Sequence, residues 1–158
     1  MKIGIVVHSH TGNTYSVAKK LQEKLLKAEH QVSIERIQVA GGENPNVKDF
    51  RLENPPDAGA YDALIFGAPV RGGALSPVMA AYLKQLPSLA VGKAACYVTK
   101  FFPTSRMGGQ SAISKMTELC SSKGASISAT GIVSWLSWKR EKQINDVVER
   151  LGGIFIET

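Results

Sequence analysis

The sequence predicts an α/β fold: a doubly wound, five-stranded parallel sheet with helices on both faces. Two observations lead there. Short apolar runs alternate with segments of helical period along nearly the whole chain, and glycine, proline and hydroxyl-rich stretches fall between them. Strands that alternate with helices join into right-handed βαβ units, which place helices on both faces of the sheet. The length of 158 residues suits a single domain over residues 1–158. That is enough chain to bury a core without disulfides or a structural metal.

The elements follow in order. Lys2–His8 is a continuous apolar run, as expected of a strand buried on both faces. Asn13–Ala28 places Val17, Ala18, Leu21, Leu25 and Ala28 on one stripe and lysines elsewhere, predicting an amphipathic helix. Gln31–Val39 alternates through Val32, Ile34, Ile37 and Val39, as an edge strand does. Ala40–Ala60 holds Gly41-Gly42, Asn44-Pro45-Asn46 and Asn54-Pro55-Pro56, so irregular structure or one short helical turn is expected. Asp62–Gly67 is the third strand. Ser76-Pro77 is a helix cap followed by proline in the first turn, with Met79, Tyr82, Leu83 and Leu86 on the inner face. Lys93–Thr99 is the fourth strand, and Gly109–Lys123 a helix stopped by Gly124. Ser126–Val133 is the fifth strand and Arg140–Leu151 the last helix.

Composition excludes several classes. At 44% hydrophobic and 20% charged, the chain is neither disordered nor fibrous. No apolar run reaches the roughly 18–20 residues of a membrane span. Ile3–Val7 is shorter than the about 7–15 apolar residues of a signal-peptide core. A soluble, cytoplasmic protein with no membrane partner is therefore expected. Cys96 and Cys120 form no Cys-x-x-Cys and are read as buried free thiols, neither a zinc site nor a redox dithiol. Nineteen Lys and Arg against thirteen Asp and Glu give 19 − 13 = +6. No nucleic-acid motif accompanies that charge, so no nucleic-acid partner is expected. His8-x-His10 lacks the carboxylate or thiol that would complete a metal site, and no metal is expected.

In a doubly wound sheet, ligands bind outside the carboxyl ends of the strands. The loops to search are Ser9–Asn13, Ala68–Leu75, Lys100–Gly108 and Ser134–Lys139. The first, Ser9-His10-Thr11-Gly12-Asn13-Thr14, joins a buried strand to a helix start and is rich in hydroxyls. Free amides at a helix N-terminus attract a phosphate, and hydroxyls add donors. Each hydrogen bond to a charged acceptor contributes about 1.5–3 kcal/mol, so several hold a phosphomonoester without a lysine. Neither G-x-x-x-x-G-K-[ST] nor a G-x-G-x-x-G after the first strand is present, which argues against an ATPase and a dinucleotide-binding Rossmann domain. No G-x-S-x-G supports a serine hydrolase.

Ser9-x-Thr11-Gly12-Asn13-Thr14 resembles the FMN-phosphate loop of the flavodoxin family, S/T-x-T-G-N-T, and stands in the same place after the first strand. The order of elements resembles that fold over nearly the whole chain. The resemblance implies a strand order of 2-1-3-4-5 and a non-covalently bound FMN. It implies that Ser9, Thr11, Asn13 and Thr14, with the amides of the loop including His10 and Gly12, hold the phosphate.

Gly67-Ala68-Pro69-Val70-Arg71-Gly72-Gly73 resembles the isoalloxazine loop of flavodoxin-like NAD(P)H:quinone reductases rather than the acidic, Trp-bearing loop of electron-transfer flavodoxins. By that resemblance Pro69, Val70, Arg71, Gly72 and Gly73 lie against the ring. Thr99-Lys100-Phe101-Phe102-Pro103 and Met107-Gly108-Gly109-Gln110 resemble the third loop of the same reductases. Thr99, Lys100, Phe101, Phe102 and Gly108 are the candidate contacts there, with Phe101 or Phe102 stacking on flavin or substrate. Arg71, Lys100 and Arg106 are cations in these loops, suited to a reduced flavin anion or to NAD(P)H phosphates. Trp135 and Trp138 are read first as core or interface packing and second as a pocket wall.

The expected function is an FMN oxidoreductase passing hydride or electrons from NAD(P)H to a quinone or similar acceptor. No side chain is assigned as a catalytic acid or base, since the cofactor supplies the chemistry. The alternative is a flavodoxin-type electron carrier whose basic surface meets an acidic redox partner. A third resemblance, to flavodoxin-like protoporphyrinogen oxidases, lacks their long membrane-contacting insertion. A phosphate-binding module without redox work is the fourth. Homo-oligomers occur among the related reductases, so a homo-oligomer is compatible with the sequence.

Overall fold

The structure is a computed structural model, and it describes residues 1–42, 50–89, 93–102 and 108–156. Its elements are β1 (Lys2–Val7), α1 (Asn13–Lys27), β2 (Gln31–Arg36), β3 (Gln38–Val39), β4 (Leu52–Glu53), β5 (Ala63–Arg71), β6 (Ala74–Leu75), α2 (Pro77–Gln85), β7 (Lys93–Lys100), α3 (Gly109–Ser122), β8 (Ile127–Ser134) and α4 (Arg140–Gly153). The main sheet runs β2-β1-β5-β7-β8, all parallel. Counting these five alone, the order is 2-1-3-4-5, as expected.

Strand alternation divides the core into two layers. Ile3, Ile5, Val7, Ala63, Ile65, Ala95 and Tyr97 face one side, where Val17, Leu21 and Leu25 of α1 and Ile144, Val147 and Leu151 of α4 cover them. Val6, Leu64, Phe66, Cys96 and Val98 face the other, under Met79, Tyr82 and Leu83 of α2 and Ala112, Met116 and Cys120 of α3. The inner strands are buried on both faces, which is why they read as unbroken apolar runs.

Two segments depart from the sequence expectation. The predicted strand Gln31–Val39 stops at Arg36. The next residue, Ile37, is buried, and its N–H donates to Val7 O at 2.8 Å. Gln38–Val39 then leaves the main sheet and pairs antiparallel with β4, so part of the predicted irregular stretch is a small ribbon followed by a 3-10 turn at Ala58–Ala60. Asn44-Pro45-Asn46 lies outside the described residues.

The second correction concerns the stretch Ala68–Leu75, expected as a loop. Here β5 runs on through Pro69 and Val70 to Arg71, turns at Gly72-Gly73 and returns as β6, with Val70 opposite Leu75 and Arg71 opposite Ala74. Gly72 and Gly73 have φ of +60° and +78°, the left-handed pair that a tight two-residue hairpin turn requires. Proline is tolerated in β5 because Pro69 sits where its carbonyl, accepting from Ser76 N–H at 3.0 Å, does the bonding on the hairpin side. Ser76 caps α2 as predicted, its Oγ accepting from Met79 N–H at 3.3 Å with Pro77 following.

Cys96 and Cys120 are both buried and unbridged, as expected, but their sulfurs meet at 3.9 Å. The thiol of Cys96 is pushed well up by its hydrogen bond to Cys120 and by burial, which disfavours the thiolate. Among the described residues no helix is long and apolar enough to cross a membrane. The same residues contain no cluster of His, Cys, Asp or Glu with metal-ligating geometry.

Candidate functional site

Three loops meet at the carboxyl edge of the sheet. The first, residues 8–12, leaves β1 and opens α1. Ser9 Oγ accepts from Gly12 N–H and from Tyr15 N–H, both at 3.2 Å, so this side chain satisfies two of the donors that a helix start leaves open. Its own O–H is left to donate, and the remaining amides of the loop stand at the positive end of the α1 dipole. Thr14 Oγ1 is buried and pairs with Thr99 Oγ1 at 2.8 Å, tying the start of α1 to the end of β7. The same junction is held by Tyr97, whose hydroxyl donates to Thr14 O at 2.7 Å. The ring of Tyr97 fits because residue 67 is glycine: a Cβ there would come within 2.5 Å of it.

The second loop is the hairpin β5-β6. A Cβ added at Gly72 or Gly73 would meet nothing within 4 Å, so the turn presents bare backbone to open space. Gly108, with φ of +86°, comes from the third loop and packs on this turn, where a Cβ would stand 2.2 Å from Gly73 O. The hairpin is thereby braced against the start of α3. His8, buried beneath the first loop, reaches the hairpin's far end through its Nδ1, 2.5 Å from Ser76 Oγ.

Between these loops lies a cleft of about 270 Å³, near the lower end of the roughly 300–1,000 Å³ usual for ligand pockets. The first loop contributes His10, Thr11 and Asn13, the second Pro69, Val70, Arg71 and Gly72, and the third Thr99, Lys100 and Phe101. All ten were candidates from sequence. Ser9, Gly12 and Thr14 stand in the first loop behind this lining, and Gly73 and Gly108 brace the hairpin. Phe102 is 53% exposed and does not line the cleft. Arg106 lies outside the described residues, as do Pro103 and Met107.

Among the described residues no Asp or Glu lines the cleft, whereas His10, Arg71 and Lys100 do. Lys100 is buried, and desolvation lowers its pKa from the usual lysine value. Its stem lies along Gly109 and Ile132. A cation held in low dielectric at a cleft wall exerts a stronger field on a ligand than one in water.

Of the two tryptophans expected in a core or an interface, the structure places Trp135 against the core and leaves Trp138 outside it. Trp135 is partly buried against the α1–α4 layer, its carbonyl accepting from Arg140 Nη1 at 3.0 Å. Trp138 is 89% exposed and belongs to no core, because the turn Ser134–Ser137 carries it past the end of the sheet. Sequence reasoning missed three supports of the site: His8, Ser76 in its contact with His8, and Tyr97. Their signal is a polar or hydroxyl-bearing residue inside an apolar run, which is visible in sequence but names no partner.

Solved structures show what this architecture is similar to. Flavodoxin 2 from Bacillus cereus superposes with a TM-score of 0.70 over 98% of this chain and 100% of its own, at 19% identity. The chain has the flavodoxin fold. A flavodoxin of Streptococcus pneumonia TIGR4 gives 0.69 over 98% of this chain and 99% of its own, at 16% identity. An azoreductase from Bacillus anthracis gives 0.66 over the full length of both chains, at 12% identity. Proteins named flavodoxin and azoreductase are thus about equally similar to it in shape. No family model matches the sequence. A stretch of 94 residues is 29% identical to an NAD(P)H dehydrogenase (quinone) of Archaeoglobus fulgidus, covering 52% of this chain and 49% of that protein. The chain therefore spans about half the length of the curated relative it matches.

Proposed function

We propose that the cleft binds FMN and that the chain is an oxidoreductase, moving reducing equivalents from NAD(P)H to a quinone or similar small acceptor. The observation that carries this reading is the pairing of an amide- and hydroxyl-rich loop at the start of α1 with a cleft whose described lining carries Arg71 and Lys100 and no carboxylate. The donor set fits the cofactor. Ser9, Thr11 and Asn13, with the loop amides, suit a phosphate dianion. The open backbone of Gly72-Gly73 suits a flat ring at close approach. When bound, FMN supplies the two-electron relay between nicotinamide and acceptor.

The residues of the chain orient and tune. Arg71 and Lys100 stabilise negative charge in the cleft, on a reduced cofactor or on the phosphates of a nicotinamide nucleotide. Phe101, 50% exposed at the cleft wall, is placed to cover an aromatic ring. The likeness to a protein named NAD(P)H dehydrogenase (quinone) supports the choice of donor and acceptor.

The second reading, an electron carrier between proteins, is favoured by the full-length likeness to flavodoxins. Anaerobic addition of NADPH, then NADH, to the FMN-loaded protein separates the two. The reductase bleaches within the mixing time of a stopped-flow instrument with one of the donors. A carrier holds its colour with both.

A further inference from the structure

Of seven large apolar side chains exposed among the described residues, four stand together past the ends of β7 and β8: Phe101, Phe102, Leu136 and Trp138. Their backbones are joined. Trp135 N–H donates to Lys100 O at 2.6 Å and Leu136 N–H donates to Phe101 O at 2.9 Å, so the two chains continue side by side beyond the sheet. These side chains are 50%, 53%, 61% and 89% exposed, in the order named, so each presents half or more of its surface to solvent. Phe101 also belongs to the wall of the cleft, so this tip and the mouth of the cleft are one surface.

Cations accompany the tip. Lys139 Nζ lies 5.1 Å from the ring centre of Trp138, and the Arg140 guanidinium 5.1 Å from that of Trp135. The adjoining carboxylate, Glu141, is engaged by Lys20 at 3.6 Å and by Arg140 at 3.8 Å.

We propose that this tip docks peripherally on a bilayer surface containing anionic lipid and so presents the cleft to a quinone dissolved in that bilayer. Trp, Phe and Leu flanked by Lys and Arg is the side-chain set that settles at the boundary between headgroups and acyl chains. Stable attachment takes an apolar and an electrostatic signal together, and the tip holds both. A second copy of the chain is a poor occupant, since like-charged basic surfaces repel. An acidic protein satisfies the charge but needs a surface shaped to receive these four exposed side chains, whereas lipid deforms around them. The sequence expectation of no membrane partner was argued from the lack of a spanning segment, and a surface contact requires none. The inference rests on the quinone reading for its purpose and on the tip alone for its occurrence.

The test is flotation of the full chain with phosphatidylcholine vesicles, with and without phosphatidylglycerol, before and after FMN loading. Partition into the phosphatidylglycerol vesicles should be at least about tenfold stronger and should weaken with salt. It should be accompanied by a blue shift of tryptophan emission. The double variant Leu136→Ser/Trp138→Ser should lose about tenfold or more of that partition, keep its circular dichroism and retain wild-type FMN affinity. Equal partition of wild type and double variant overturns the proposal. So does absence of a preference for phosphatidylglycerol, or binding of soluble polyglutamate that matches vesicle binding and ignores the double variant; that last result would assign the surface to an acidic protein. Vesicle binding by a chain that fails to take up FMN would sink the function proposed above and leave the docking surface standing.

Discussion

His8 Nδ1 and Ser76 Oγ lie 2.5 Å apart inside the molecule, and they join two parts of the site that are 68 residues apart in sequence. His8 follows β1 and opens the first loop, and its N–H donates to Gly67 O at 3.0 Å. Ser76 closes the hairpin through its backbone and caps α2 through its side chain, accepting from Met79 N–H. One hydroxyl therefore serves a helix start and a buried imidazole at once. The hydroxyl has one proton and already accepts from Met79, which suits it to donate to an unprotonated Nδ1.

Replacing Ser76 with alanine removes both services. Loss of a cap costs about 1 kcal/mol and stranding a buried acceptor about 1–3 kcal/mol. The expected loss is about 2 kcal/mol or more, read from urea unfolding midpoints. A loss below about 0.5 kcal/mol, the range of an ordinary surface change, contradicts the role assigned to this pair.

Gly108→Ala tests the brace between the third loop and the hairpin. Its Cβ would meet Gly73 O at 2.2 Å, so the hairpin must move. Gly41→Ala is the control, since Gly41 has a similar φ of +79° with nothing within 4 Å of the added atom. Both pay the roughly 1–3 kcal/mol of placing alanine in this region, but only Gly108→Ala should weaken FMN binding, by about tenfold or more, equal to about 1.4 kcal/mol. Equal FMN affinities of the two variants would remove the brace from the account.

Arg71→Glu reverses a charge at the cleft wall. If Arg71 stabilises negative charge on the bound cofactor, the two-electron potential of FMN falls by about 30 mV or more, a change of about 1.4 kcal/mol. Spectroelectrochemistry reads this directly. An unchanged potential would leave Arg71 as a solvated surface charge.

Lys100 gives a pH dependence whose sign is fixed by its lowered pKa. Burial disfavours the charged form in the native state, so the unfolded chain binds the proton more tightly. Between the lowered native pKa and the ordinary lysine value of about 10.4, stability then rises with pH on account of this group. Tyr61, whose phenol is pushed up to about 12 by burial and the nearby Glu35, titrates in the opposite sense at alkaline pH. The comparison must therefore be made against Lys100→Met. The wild type should gain on the variant as pH rises toward about 10.4. A difference independent of pH would mean that Lys100 is not desolvated.

Much of this arrangement is legible in sequence, for identifiable reasons. Buried parallel strands leave unbroken apolar runs, and Ser76-Pro77 marks a helix start by local chemistry alone. A doubly wound sheet confines ligands to the carboxyl ends of its strands and so picks out the loops, while the resemblance to flavodoxin and quinone-reductase loops names the ten cleft residues within and beside them. The expected strand stops at Gly67 and leaves Ala68–Leu75 as a loop, although Gly72-Gly73 between Val70-Arg71 and Ala74-Leu75 is itself a hairpin signal. The break after Arg36 falls where the apolar spacing slips from Val32 and Ile34 to Ile37 and Val39, a three-residue step that the single expected strand runs across. His8–Ser76, Thr14–Thr99 and the adjacency of Cys96 and Cys120 are tertiary meetings, and no local pattern encodes which residue stands opposite which. The exposure of Trp138 is illegible for a related reason: the apolar character that predicts burial is the same that makes a protruding anchor.

The central claim is a flavin phosphate at the start of α1, and the most direct measurement is titration of the flavin-free chain with FMN and with riboflavin, followed by flavin fluorescence. The site as described predicts one FMN per chain, bound at least about 100-fold more tightly than riboflavin, since two or more charge-assisted hydrogen bonds of about 1.5–3 kcal/mol depend on the phosphate. Thr11→Val should erode that preference and leave riboflavin binding unchanged. Equal affinity for the two flavins, or no binding of either, would contradict the account from the first loop onward.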